Sequence, residues 1–158
     1  MNTPQKHPRI CWEDLQVGST LDLGSLSPTA EEIIAFASQF DPQPFHLSDE
    51  GGKASLFGGL CASGWHTCAM AMRLMVTNFL SESSSLGSPG MENLKWLKPV
   101  YPGDVLRLEQ HITESRPMAS RPDVGLVRSQ WQMFNQHGDK VLQMEGYGMF
   151  RRREAAAA

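Results

Sequence analysis

No stretch of this chain is both free of charge and as long as the ~20 apolar residues that a membrane-spanning helix needs, so a helical membrane protein is excluded. Cysteine is scarce. The three present, Cys11, Cys61 and Cys68, form no Cys-x-x-Cys pair, which argues against both a disulfide framework and a thiolate zinc site. They read as small buried hydrophobes. An excess of one charge is missing too: 14 basic against 17 acidic residues leave a net of -3, with no general field for nucleic acid or an anionic membrane. Nucleic acid and membrane are therefore not expected partners. Residues 1–9 are polar and carry no apolar run of the kind a secretory leader shows, so a cytoplasmic location is expected.

The 158 residues suffice for one domain with its own core, burying roughly 70% of the surface that the unfolded chain exposes. No internal repeat appears. One domain is expected over residues 1–153, followed by a frayed tail at 154–158 that lacks any amphipathic pattern. Leu21 and Leu23 alternate with polar neighbours and predict a first strand over Thr20–Leu26. Thr29 with Glu32 is a capping box, and Ile33, Ile34, Phe36, Ala37 and Phe40 share one face of the helix it opens. From Gly64 to Leu80 apolar residues surround a second, longer helix on nearly every side, which predicts a buried one with Arg73 and Asn78 at its open edge. Beyond a Ser/Gly-rich break at 81–90 the period changes to two: Leu94 and Trp96; Leu106, Leu108 and Ile112; Val127, Ser129, Trp131 and Met133; Leu142, Met144, Gly146, Gly148 and Phe150. This order predicts an α+β fold, an antiparallel sheet on a central helix, with Gly146 and Gly148 giving room where the two approach.

The densest chemistry lies in Asp41-Pro42-Gln43-Pro44-Phe45-His46. Two prolines predict that a helix ends at Phe40 and that a stiff open loop carries Asp41 and His46 together. A carboxylate and an imidazole so held suit general acid-base work on one water. Taken alone, the hexapeptide serves equally well as an Asx-turn beside a surface histidine. The segment from Pro42 to Ala62 is too long for an idle connection and predicts the lid of a pocket. After it, Ser63 is placed to cap the long helix and Gly64 to be its first residue, with free N–H groups and the positive end of the dipole available to an oxyanion. Alone, that pair also reads as a cap and a close packing contact.

In its order of motifs the chain resembles the MaoC-like, (R)-specific enoyl-CoA hydratase family of hot-dog proteins, whose signature runs Asp-x-Asn-Pro-x-His, then a Gly-containing overhang, then a Gly at the start of the central helix. The resemblance covers nearly the whole chain, with Lys98 to Asp104 matching the family's turn between its second and third strands and Asn135 to Asp139 its last hairpin. Gln43 stands in place of the signature's Asn, and Phe40 in place of a common Gly. The resemblance implies a sheet wrapped round the central helix and hydration of trans-2-enoyl-CoA, or dehydration of (R)-3-hydroxyacyl-CoA. It implies Asp41 and His46 sharing the reacting water, the Gly64 N–H as oxyanion donor, and Ser63, Phe57, Gly59 and Trp65 around the substrate. It implies no cofactor, no metal, and a homodimer or higher oligomer. A hot-dog thioesterase and a non-catalytic acyl-thioester-binding module are the rival readings.

The remaining polar candidates are weaker. His66 lies in the first turn of the long helix, His111 among charged strand residues and His137 in a hairpin. Asp41, His46 and His66 have no ligand-pair spacing for a metal, and a serine nucleophile elbow is missing. Lys95, Lys98, Arg116, Arg121 and Arg151 to Arg153 are the cations available to a coenzyme A tail, without assigned contacts.

Overall fold

Thr29 Oγ1 accepts the Glu32 N–H at 3.1 Å while Glu32 Oε2 accepts the Thr29 N–H at 2.9 Å, the reciprocal box that starts helix α1 (Ala30–Phe40). Ile33 and Ala37 are buried along it, whereas Phe40 at its end is exposed. The structure is a computed structural model and describes residues 8–153; the expected tail at 154–158 lies outside the described residues. Strand β1 (Thr20–Leu26) precedes α1, and two short helices follow it, α2 (Pro44–Leu47) and α3 (Asp49–Lys53). The long helix α4 (Gly64–Asn78) comes next, and then strands β2 (Ser85–Trp96), β3 (Leu106–Met118), β4 (Arg121–Phe134) and β5 (Lys140–Arg151).

The strands form one antiparallel sheet in the order β1-β3-β4-β5-β2. Its inward rows, Leu106, Leu108 and Ile112 on β3, Val127, Trp131 and Met133 on β4, and Leu142, Met144 and Phe150 on β5, pack with Met70, Ala71, Leu74 and Met75 of α4 into one core. This is the hot-dog arrangement, α+β with a long helix against the sheet. Asn78 Nδ2 ties the end of α4 to β1 by donating to the Leu23 carbonyl at 2.6 Å.

Four expectations need correction. Helix α4 is not covered all round: Trp65, Met72 and Val76 along it are exposed. The Ser/Gly-rich segment is not a break throughout, since β2 begins at Ser85; as an edge strand it absorbs register shifts, with Gly87 (φ 107°) and Gly90 (φ 153°) in conformations that other residues resist. Gly146 and Gly148 do not make room for the helix. A side chain at 146 would strike the Gly90 carbonyl of β2 and one at 148 the Phe150 ring. Finally, Asp41 to His46 is not an open loop, because Pro44 begins α2 and carries His46 on it. Proline at a first helical position loses nothing, its missing N–H having no partner there.

Candidate active site

Asp41 is the residue that ends α1, its N–H still bound to the Ala37 carbonyl at 2.9 Å. His46 follows on α2 and is buried. The turn between the two helices brings His46 Nε2 to 3.4 Å from Asp41 Oδ2. His46 Nδ1 lies 2.7 Å from the Cys61 carbonyl oxygen. A carbonyl only accepts, so Nδ1 carries a proton, and Nε2 is the ring nitrogen turned to Asp41. Asp41 has two further partners: Gln43 Nε2 donates to Oδ1 at 2.7 Å, and the fully buried Ser63 donates its hydroxyl to Oδ2 at 2.7 Å. Partial burial pushes the Asp41 carboxyl up, but the hydrogen bonds from Gln43 and Ser63 and the nearby imidazole outweigh it and hold the pKa below the usual aspartate value. Asp41 is therefore ionised at neutral pH.

Ser63 holds the cap position of α4 without capping it through its side chain, because its hydroxyl goes to the carboxylate, a strong charged acceptor. Gly64 is the first residue of α4. A Cβ there would fall 2.5 to 2.8 Å from the Trp96 indole, so the end of β2 lies directly over the helix start. Trp65 meets Trp96 edge-on at 5.1 Å between ring centres.

These groups border one cleft of about 670 Å³, walled by Asp41, His46, Phe57, Gly64, Trp65 and Trp96. Its far wall is the turn after β2, from Leu97 to Val100. The segment from Pro42 to Ala62 folds over it as α2, α3 and a turn, pinned by Tyr101 Oη donating to the Phe57 carbonyl at 2.6 Å. Of the residues expected around a substrate, Phe57 and Trp65 reach the cleft, and Ser63 touches it through Asp41. Gly59 sits behind it, its backbone so close to Gly52 that a Cβ on Gly52 would overlap the Gly59 carbonyl carbon. His66 faces α1, stacked on Phe36 at 4.7 Å, and burial pushes its pKa down. Lys98 is the expected cation that borders the cleft, and it pairs with Asp139 at 2.8 Å.

Sequence reasoning missed three contributors. The Cys61 carbonyl and Trp96 carry no local signal, since only the folded chain brings them to the site. Gln43 stood inside the motif, and its amide is the signal that was available. Among the described residues no group of three or more His, Cys, Asp or Glu side chains converges as metal ligands do, and no helix is long and apolar enough to cross a membrane.

The family model described as MaoC like domain matches residues 14–130. The chain belongs to this family. A MaoC-like dehydratase from Rhodospirillum rubrum is 43% identical in sequence and superimposes with a TM-score of 0.85, over 92% of this chain and 99% of that one. The R-hydratase PhaJ1 from Pseudomonas aeruginosa shares the fold with a TM-score of 0.74 at 24% identity, over 94% of this chain and 93% of its own. The mesaconyl-CoA hydratase of Cereibacter sphaeroides is 32% identical over 74 residues, which are 47% of this chain and 21% of that protein. The domain thus groups, over nearly its whole length, with a MaoC-like dehydratase.

Proposed function

We propose that this MaoC-like protein adds water to trans-2-enoyl-CoA thioesters and, in reverse, dehydrates (R)-3-hydroxyacyl-CoA. The observation that carries the reading is the 3.4 Å approach of His46 Nε2 to Asp41 Oδ2 at the wall of a cleft that also reaches the start of α4. A water between these two acceptors points its protons at them and its lone pair at the substrate β-carbon. As the carbon–oxygen bond forms, the pair takes one proton from the water, and a proton returns from the pair to the α-carbon. The thioester oxygen gains charge as the enolate develops. The Gly64 N–H, at the positive end of α4 and without an intrahelical partner, is the donor for it.

The relatives named as hydratases support the reaction class, and the ionised Asp41 beside His46 supports the assignment of the base. Chain length and branching of the acyl group stay open in this reading. The exposed edge β2, with Leu86 and Met91 exposed beside it, supports pairing of two copies into a homodimer. An acyl-CoA substrate fits a cytoplasmic location.

The experiment is a panel of trans-2-enoyl-CoA thioesters followed by loss of the conjugated enoyl absorbance, with free thiol assayed in parallel. Consumption of the double bond without thiol release is expected. Thiol release instead would establish a thioesterase, and binding with neither change a non-catalytic module.

A further inference from the structure

The Asp41 carboxylate is held at both of its oxygens, and the two holds come from different parts of the chain. Ser63, fully buried at the start of α4, donates to Oδ2, the oxygen that His46 Nε2 approaches to 3.4 Å. Gln43, two positions beyond Asp41, donates from Nε2 to Oδ1 at 2.7 Å. The terminal torsion of an aspartate is broad and two-fold, so a carboxylate gripped at one oxygen still turns about that grip. Donors on both oxygens fix its plane.

Gln43 is free for this task because its side chain does nothing for the helix it opens. It occupies the cap position of α2 (φ -87°, ψ 145°), yet accepts no N–H of the first turn through its side chain. Asparagine, which the family signature has at this place, is among the best helix caps, since its short amide reaches those N–H groups. The extra methylene of Gln43 takes the amide elsewhere, and here it goes to Asp41. The main chain of Gln43 joins the same pair: its N–H donates to the Asp41 carbonyl at 2.8 Å, and its carbonyl accepts the His46 N–H at 2.9 Å. The residue is exposed and borders the cleft.

We infer that Gln43 is a positioning residue: its amide locks the Asp41 carboxylate with Oδ2 toward His46 and the reacting water, and keeps Oδ1 out of the chemistry. This role rests on the reading of Asp41 and His46 as the pair that handles the water. A partly turned carboxylate points neither oxygen at a water shared with His46. The lock also has an electrostatic side, which separates position from basicity. Burial raises the Asp41 pKa and the Gln43 bond is among the contacts that lower it, so loss of that bond leaves a stronger base. A stronger base by itself removes a proton faster. A fall in kcat on losing the amide therefore reports position.

The test is Gln43→Leu in the intact protein, with circular dichroism and melting as the check on folding. Carbon NMR of the Asp41 carboxyl is followed against pH, together with the ring of His46, the ionisable group that faces it. The Asp41 titration is expected to move up. With crotonyl-CoA, at a pH above that titration, kcat should fall about tenfold, the effect of one lost hydrogen bond to a charged group, while KM stays unchanged. If Gln43→Leu does not fold, Gln43→Asn serves, because it gives α2 a better cap while withdrawing the amide from Asp41, and the same two changes are expected. Wild-type kcat in the folded variant, or an unmoved Asp41 titration, would overturn the inference. So would a raised KM at unchanged kcat, which would make Gln43 a substrate contact. An active wild type with unaffected variants strikes this inference alone, whereas a wild type without turnover strikes the reading of the cleft and this role with it.

Discussion

Ser63, at the start of α4, donates its hydroxyl to Oδ2 of Asp41, at the end of α1, over 2.7 Å and across 22 positions of chain. In the proposed mechanism this bond couples the helix start that would present an oxyanion donor to the carboxylate that would handle the water. Ser63→Ala is expected to fold, losing about 2 kcal/mol for a buried hydrogen bond to a charged group. As a positioning residue, its loss should lower kcat about ten- to hundredfold with little change in KM, since it aims Asp41 without touching substrate. A readout specific to this coupling is the Asp41 titration, followed by NMR of its carboxyl carbon. In the wild type the folded pKa lies below the unfolded value, so the stabilisation it brings is complete above the unfolded value and is lost as pH falls through the folded one. Without the Ser63 bond the two values approach, and the acid-side loss of stability attributable to Asp41 shrinks. An unmoved Asp41 titration would show the bond to be inconsequential.

Asp41→Asn and His46→Gln keep the shape of each side chain and remove its proton chemistry. Each should cost about 10² to 10⁴ in the hydration rate. If both act on one water, as proposed, the double variant should lose far less than the product of the single losses. Rates and thermal melting measured on the same samples check this; wild-type turnover in either single variant, at unchanged melting temperature, would remove that residue from the mechanism.

Which parts of this site were legible in advance follows from the range of the interactions. The Thr29–Glu32 box is a local event within one turn, so the start of α1, and with it the position of Asp41, could be read locally. The alternation of Leu106, Leu108 and Ile112 likewise announces which face of β3 is buried. His46 was placed correctly beside Asp41 but on the wrong backbone, because proline both ends helices and begins them and the hexapeptide alone does not say which. The exposed side of α4 was misread since composition reports apolarity, whereas exposure depends on what is packed there. Trp96 over Gly64, a contact between residues far apart in the chain, exists only because β2 ends above the helix start. Nothing near either residue foretells it.

In the proposed reaction the stereochemistry of addition would follow from the single water. Asp41 and His46 both line the cleft, so under the proposed mechanism hydroxyl and proton would reach the same face of a bound enoyl group and addition would be syn. Crotonyl-CoA should give the (R) alcohol, which chiral chromatography of the hydrolysed product resolves. An (S) product would mean that the opposite face of the substrate meets the pair.

Gly64 allows the oxyanion donor to be tested by removing one hydrogen, provided Trp96 is taken into account. A methyl on this residue would overlap the indole, so Gly64→Ala in the wild type mixes a packing defect with any effect on chemistry. The comparison therefore belongs in a Trp96→Ala background, where the indole is gone and a Cβ on the first residue of α4 has room. In that background Gly64→Ala keeps the N–H and Gly64→Pro removes it. Proline fits the position: it is the first residue of α4, and Ser63 already has the extended conformation (φ -54°, ψ 140°) that a following proline demands. If the N–H carries the developing charge, the Gly64→Pro protein should turn over about 10² to 10³ more slowly than the Gly64→Ala protein, the typical loss for one oxyanion-hole donor. Circular dichroism and melting of both proteins establish that the helix survives. Equal turnover in the two would assign the glycine to its contact with Trp96 and leave the thioester oxygen to another donor.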